Sequence, residues 1–295
     1  MKSKLIALDI DGTILDRPAG IPMPEAVRAA VAEARKSGAR VCLCSSRPCY
    51  MMEDAVPLLG EIDAVIGCGG AVIVACGDVG AASDFSGDAS AAPDFSGGGR
   101  VAASGARAPF HADALPTPLL SACLETAKRL GAFVTYAASG RVLVRRKGSA
   151  GDLKEATGEP VLVVMDEPEL LKAFADEPFF CAYLFTEPGT PAGAVLAEPS
   201  LASASILRSS ENCFIVTNKG TDKGSAVLRL AECFGIPAAA ILAVGNDAND
   251  VPMLNAAGVA VAVKNASPEA LAAADYVVGD VACAGAAEAI RRFAL

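Results

Sequence analysis

Apolar positions along this chain come in short unbroken runs, each stopped by a polar cluster. Leu5-Ile6-Ala7-Leu8 ends at Asp9, Val41-Cys42-Leu43-Cys44 at Ser45, and Ile241-Leu242-Ala243-Val244 at Gly245-Asn246. Aliphatic runs without polar alternation predict strands buried on both faces. Between them the apolar period lengthens to that of helices. Residues 24–36 place Val27 and Val31 among alanines and stop at Gly38, and 48–59 predict a second helix. Strands at 4–9, 40–44, 64–66 and 71–74, with helices intervening, predict a parallel sheet with right-handed crossovers.

The pattern breaks after residue 76. Residues 77–107 are Gly, Ala, Ser and Asp with hardly an aliphatic side chain, and Ala81-Ala82-Ser83-Asp84-Phe85-Ser86-Gly87 recurs as Ala91-Ala92-Pro93-Asp94-Phe95-Ser96-Gly97. Two copies are too few for a repeat architecture, so a flexible insertion is expected. A helix at 118–130 follows, then strands at 132–137, 141–145, 161–165, 179–185 and 205–207, with helices at 167–175 and 190–197. This reads as a small α+β unit whose sheet exposes one face, carrying Tyr136, Tyr183 and Arg145. From about residue 210 the wound pattern returns, with strands at 213–217, 241–244 and 259–263 and helices at 222–234, 250–256, 268–273 and 285–293. The expected architecture is α/β. A Rossmann-like parallel-sheet core of residues 1–76 and 205–295 carries an inserted α+β cap of residues 77–204, of which 77–109 are flexible. A ligand then belongs beyond the carboxyl ends of the core strands, under the cap.

Composition narrows the chemistry. The 295 residues carry a formal charge of −9, which excludes nucleic acid and anionic membrane as partners. An anionic substrate must then be held by local cations, dipoles or a metal. The first apolar run is too short for a signal peptide or an anchor. Ten cysteines lie scattered with no C-x-x-C pair, which reads as reduced core thiols in a cytoplasmic protein. The single histidine, His111, sits in a Pro-rich connector and reads as solvated, so a His triad or a His-rich metal cluster is excluded. Carboxylates, lysine, hydroxyls and a hard cation remain.

Four polar clusters stand at the ends of predicted core strands. Asp9-Ile10-Asp11-Gly12-Thr13 offers two carboxylates two residues apart, with Gly12 permitting a sharp return; alone it is equally an acidic turn. Ser45-Ser46-Arg47-Pro48 opens a helix with free amides, which suits a phosphate-sized anion or an ordinary N-cap. In Thr221-Asp222-Lys223-Gly224 a lysine at a helix start can point back to the sheet or simply be solvated, and Lys219 competes with it. Gly245-Asn246-Asp247-Ala248-Asn249-Asp250 gathers more oxygen donors than a helix cap explains, the kind of donor a hard divalent cation takes. Together they suit in-line attack on phosphorus by a carboxylate, with a second carboxyl group moving the proton and a cation offsetting charge repulsion.

In the order and spacing of these four motifs the chain resembles the haloacid dehalogenase-like phosphohydrolases, and more narrowly their Cof-type (subclass IIB) phosphatases. Val261-Ala262-Val263-Lys264-Asn265-Ala266 and Ala274-Asp275-Tyr276-Val277 resemble that family's C-terminal signature. The resemblance implies that Asp9 is the nucleophile and Asp11 the general acid/base. Lys223 would stabilise the phosphoryl group, and Gly12, Ser45, Ser46, Arg47 and Asn249 would line its site. Asp9, Asp11 (also through its carbonyl), Asn246, Asp247 and Asp250 would surround Mg²⁺, with Asp250 also positioning Lys223. Two departures stand out: Asn246 replaces the usual Asp of the fourth motif, and Ser46 the usual Gly of the second. The implied activity is Mg²⁺-dependent hydrolysis of a small phosphorylated metabolite, such as a sugar phosphate, through an aspartyl-phosphate, by a monomer or homodimer. A phosphomutase of the phosphomannomutase type, and a weakly active phosphate-binding homologue owing to Asn246, are the alternatives.

Overall fold

The computed structural model describes residues 2–52, 55–76, 109–145 and 162–295. The tandem Phe-Ser-Gly segment, Arg146 and Val161 lie outside them. The apolar runs form the strands of an eight-stranded sheet. In chain order its members are β1 (Leu5–Leu8), β2 (Arg40–Cys44), β3 (Ala64–Gly67), β4 (Val72–Ala75), β5 (Pro109–Ala112), β12 (Ile241–Gly245), β13 (Val259–Val263) and β14 (Tyr276–Val278). Their spatial order is β14-β13-β12-β1-β2-β3-β4-β5. β1 pairs in parallel with β12 on one side and with β2 on the other. Alternate residues of these strands serve two cores. Ile6, Leu8, Val41, Leu43, Leu242 and Val244 pack against Val27, Val31, Ala286 and Ile290 of helices Glu25–Lys36 and Gly285–Phe293. Leu5, Ala7, Cys42, Cys44, Ile241 and Ala243 pack against Val227, Leu230, Met253 and Leu254 of helices Lys223–Cys233 and Val251–Ala256. Burial on both faces is what the unbroken apolar runs required.

Several expectations need correction. The sheet is mixed: Cys68–Gly70 forms a tight turn in place of a crossover, so β4 returns antiparallel to β3, and β5 follows antiparallel on its edge. The 48–59 helix is instead a 3-10 turn at Cys49–Met51 and a short helix at Val56–Leu59. Pro57 lacks the N–H a continuous helix would need there. His111 lies on β5 opposite Ile73, half-buried, not in a solvated connector.

The second sheet has the order β10-β11-β9-β6-β7-β8. Its strands are β6 (Phe133–Ala138), β7 (Val142–Arg145), β8 (Leu162–Met165), β9 (Phe179–Phe185), β10 (Ala204–Ser210) and β11 (Cys213–Asn218). Residues 205–217, expected to reopen the core, thus close the cap as an antiparallel hairpin against β9. The cap insert accordingly runs from Asp113 to about Gly220, while residues 109–112 belong to the core sheet. The cap's expected open face is also closed in part. Tyr136 is buried under helices Thr117–Leu130 and Glu167–Asp176, its hydroxyl donating to the Leu120 carbonyl at 3.1 Å. On the opposite face Cys181, Tyr183 and Ile215 join the core cluster that holds Cys49 and Cys68. The cap sheet is therefore covered by helices on one side and, around Cys181, Tyr183 and Ile215, by the core on the other, while Phe185 at the end of β9 stays exposed. All ten cysteines are free thiols, seven of them buried. Among the described residues no helix is long and apolar enough to cross a membrane.

Candidate active site

Parallel pairing of β12, β1 and β2 aligns their carboxyl ends, so that Asp9, Ser45 and Asn246 leave three adjacent strands side by side. This is where the chain turns to opposite sides of β1, the place open α/β sheets bind ligands. The helix Lys223–Cys233 starts beside them. Asp222 caps it by accepting the Ser225 amide at 2.7 Å, while the Ser225 hydroxyl receives the Asp222 amide at 3.0 Å. A Cβ on Gly70 (φ +113°) would run into the Asp222 carbonyl, so the β3–β4 turn and the helix start approach closely only because Gly70 has no side chain.

Lys223 is 1 % exposed, and its ammonium is saturated. Nζ donates to Asp9 Oδ1 at 2.8 Å, Asp250 Oδ1 at 2.5 Å and Asn249 Oδ1 at 3.4 Å. Burial opposes its charge, but Asp250 and Asp9 outweigh that and hold it above the ordinary lysine range. Lys219, the competitor in the sequence, is exposed and reaches the Ala202 carbonyl instead. Asp250 is 0 % exposed and fully engaged, since its Oδ2 accepts the amides of Asn246 at 2.8 Å and Asp247 at 3.0 Å. In this arrangement neither of its oxygens is open to a cation. Its place is that of a support for Lys223. Asp247 Oδ1 accepts the Ala248 amide at 2.7 Å, and burial raises its carboxyl above the usual range.

One ammonium among two buried carboxylates leaves a surplus negative charge, and Asp9 bears it. Burial, then Asp250, push Asp9 up to about 7, although Lys223 pulls the other way. Asn246 meets that charge. With its amide nitrogen turned inward, Nδ2 donates to Asp9 Oδ2 at 3.0 Å, the Asp11 carbonyl at 2.9 Å and Thr13 Oγ1 at 2.9 Å. A carboxylate oxygen and a backbone carbonyl thus converge on one point, which the same side chain could supply with an oxygen if turned over. Such a hard-oxygen, electron-rich set fits Mg²⁺. Among the described residues no three His, Cys, Asp or Glu side chains gather as a metal cluster, so Asn246 and the Asp11 carbonyl are needed to complete the set.

The second motif forms the other wall. Ser45 Oγ accepts the Arg47 amide at 3.2 Å, and Ser46 Oγ accepts Asn249 Nδ2 at 2.6 Å. Arg47 grips the Asp11 carboxylate from two nitrogens, Nε reaching Oδ2 at 2.7 Å. Arg47, expected on phosphate, is therefore on the second carboxylate here. Asp11 is the open part of the site, its side chain 42 % exposed against 7 % for that of Asp9. Two residues were not singled out from the sequence. Thr13 is buried beside Asn246, and Asn265 donates to the Gly12 carbonyl at 2.8 Å while accepting the Val281 amide at 3.1 Å. Asn265 pins the turn that carries Asp11; its only signal was its place in the C-terminal signature. Of the cap candidates, Tyr183 reaches the site, donating to the Ser46 carbonyl at 2.6 Å, while Arg145 is placed on β7 opposite Met165.

A family model described as haloacid dehalogenase-like hydrolase matches residues 6–91 and 193–290. The chain is 42 % identical over 78 residues to a phosphoglycolate phosphatase of Methanothermobacter thermautotrophicus, a match spanning 26 % of this chain and 35 % of that protein. It is 25 % identical over 296 residues to YxeH of Bacillus subtilis, covering 99 % of this chain and 98 % of YxeH. Among solved structures, the subclass IIB sugar phosphatase BT4131 superposes with a TM-score of 0.74 at 18 % identity, covering 99 % of both chains. BT1666 from Bacteroides thetaiotaomicron superposes with a TM-score of 0.77 at 22 % identity, covering 99 % of this chain and 95 % of its own. At these identities the structures show a shared fold, a core sheet with an inserted cap.

Proposed function

This chain belongs to the haloacid dehalogenase-like hydrolases, and from that membership we propose that it is a Mg²⁺-dependent phosphatase of small phosphorylated metabolites. The observation that carries the reading is the buried Asp9–Lys223–Asp250 cluster at the end of the central strand, with Ser45 at the end of the adjacent strand and Asp11 two residues beyond Asp9. Names among the relatives, a phosphoglycolate phosphatase and a sugar phosphatase, support a small phosphomonoester as substrate class.

In this reading one carboxylate oxygen of Asp9 attacks phosphorus in line as the bond to the leaving oxygen breaks. Lys223, Ser45 and the amides at the start of the second motif take up charge on the phosphoryl oxygens. Asp11, released as the Arg47 guanidinium turns to the incoming anion, takes up a proton from solvent and passes it to the leaving oxygen. The resulting aspartyl-phosphate is opened by water, whose proton returns to Asp11, and phosphate leaves. Asp9, the Asp11 carbonyl and Asn246 would hold Mg²⁺, which when bound offsets repulsion between carboxylate and phosphate. Asp250 keeps Lys223 aimed. Asp9→Asn removes the nucleophile without changing its size. Phosphate release from p-nitrophenyl phosphate with Mg²⁺ is expected to fall by about 10³-fold or more, with the thermal midpoint preserved. Retained turnover would remove Asp9 from the role.

A further inference from the structure

Asp9, Ser45 and Lys223 are 5 %, 2 % and 1 % exposed, and Cys181, Tyr183 and Ile215 of the cap sheet pack onto the core beside them. Among the described residues two connectors join cap to core, around Asp113 and around Gly220 (φ +82°). The contact at hand is a polar one within an apolar junction. Tyr183, on β9 and near the Cys68 and Cys181 thiols, donates its hydroxyl to the Ser46 carbonyl at 2.6 Å. Ser46 belongs to the loop on which the site converges. Its Oγ holds Asn249, which in turn receives Lys223; its neighbour Ser45 takes the Arg47 amide; and Arg47 grips Asp11 and accepts the Cys68 amide at 2.8 Å through its carbonyl.

We propose that Tyr183 is a positioning residue, a latch through which the closed cap sets residues 45–47 for phosphoryl binding. It rests on the phosphatase reading above. When the cap lifts, Ser46 loses a hydrogen bond, and the loop bearing Ser45 and Arg47 is freed from one side. When it closes over a substrate, the hydroxyl returns, and the Ser46–Asn249–Lys223 chain is braced from the cap. Ser46 in place of a glycine gives this chain the Oγ on which the Asn249 link depends.

The test compares Tyr183→Phe with Tyr136→Phe. Each deletes one buried hydroxyl that bonds a backbone carbonyl, but Tyr136 bonds Leu120 inside the cap. Amide exchange of Ser45, Arg47 and Cys68 is expected to speed up by roughly tenfold in Tyr183→Phe, the loss of one hydrogen bond, and to be unchanged in Tyr136→Phe. KM for p-nitrophenyl phosphate with Mg²⁺ is expected to rise about five- to tenfold in Tyr183→Phe, with kcat within about twofold, because the open state gains population while the chemistry is untouched. A merely structural role would lower the thermal midpoint and leave KM alone. Unchanged exchange, unchanged KM or an equal effect of Tyr136→Phe overturns the latch. If the wild-type protein releases no phosphate, the phosphatase reading falls, and the exchange comparison alone decides the latch.

Discussion

Asn246 stands where a carboxylate was expected, and its amide already donates to Asp9 Oδ2 and to the Asp11 carbonyl. Those two acceptors also draw a hard cation, so the side chain and Mg²⁺ compete for the same electron-rich point. Asn246→Asp replaces a donor with a third carboxylate near Asp9 and Asp250. Without metal it is expected to lower the thermal midpoint by several degrees through like-charge repulsion. With metal it is expected to tighten Mg²⁺ binding by roughly tenfold, read by titration calorimetry. Equal affinity in the two proteins would place the cation away from residue 246. The departure itself was plain in the sequence, since position 246 lies in an oxygen-rich strand end. Which way its amide faces was not, because that depends on residues more than 230 positions away.

At the scale of elements, the decisive one is the helix Lys223–Cys233. Its capping box sets its first turn, and its apolar face, Val227 and Leu230, fastens it to the sheet. Gly70 determines how near that first turn comes. A side chain there would meet the Asp222 carbonyl at a backbone angle only glycine adopts easily. Gly70→Ala is therefore expected to cost about 1–3 kcal/mol of stability, measured by urea unfolding. It should also lower kcat more than Asp222→Ala, which removes only a cap worth about 1 kcal/mol. A Gly70→Ala protein with wild-type stability and turnover would contradict the close approach. The helix was readable from its periodicity, and so were helices Pro268–Ala273 and Gly285–Phe293 and strand β13, whose bounds match expectation. The 48–59 helix was misread because a proline near its end breaks a run whose apolar spacing is otherwise helical.

At the scale of the molecule, core and cap are tied where the chain crosses between them. Asp113, on the outgoing connector, receives Asn218 Nδ2 at 3.0 Å and the Thr221 hydroxyl from the returning one. Asp113→Ala leaves both donors without that acceptor. It is expected to lower unfolding stability by about 1–2 kcal/mol in urea titrations, and Asp113→Asn by less; no loss in either would mean the connectors are held otherwise. The sequence by itself determined which runs are core strands and where their polar ends fall, because a strand buried on both faces must be locally apolar and can turn polar only at its exit. It also determined that Asp9, Ser45, a nearby lysine and the 245–250 cluster belong to one sheet. Tertiary structure alone decided how Lys223, already favoured over Lys219 by the motif resemblance, meets Asp9, and that Asp250 spends both oxygens within the protein. It likewise decided that residues 204–218 pair with the cap, and that the core covers the cap's second face around Cys181, Tyr183 and Ile215. Each of these turns on pairing and burial between segments far apart in the chain, which no local pattern of apolar and polar positions encodes.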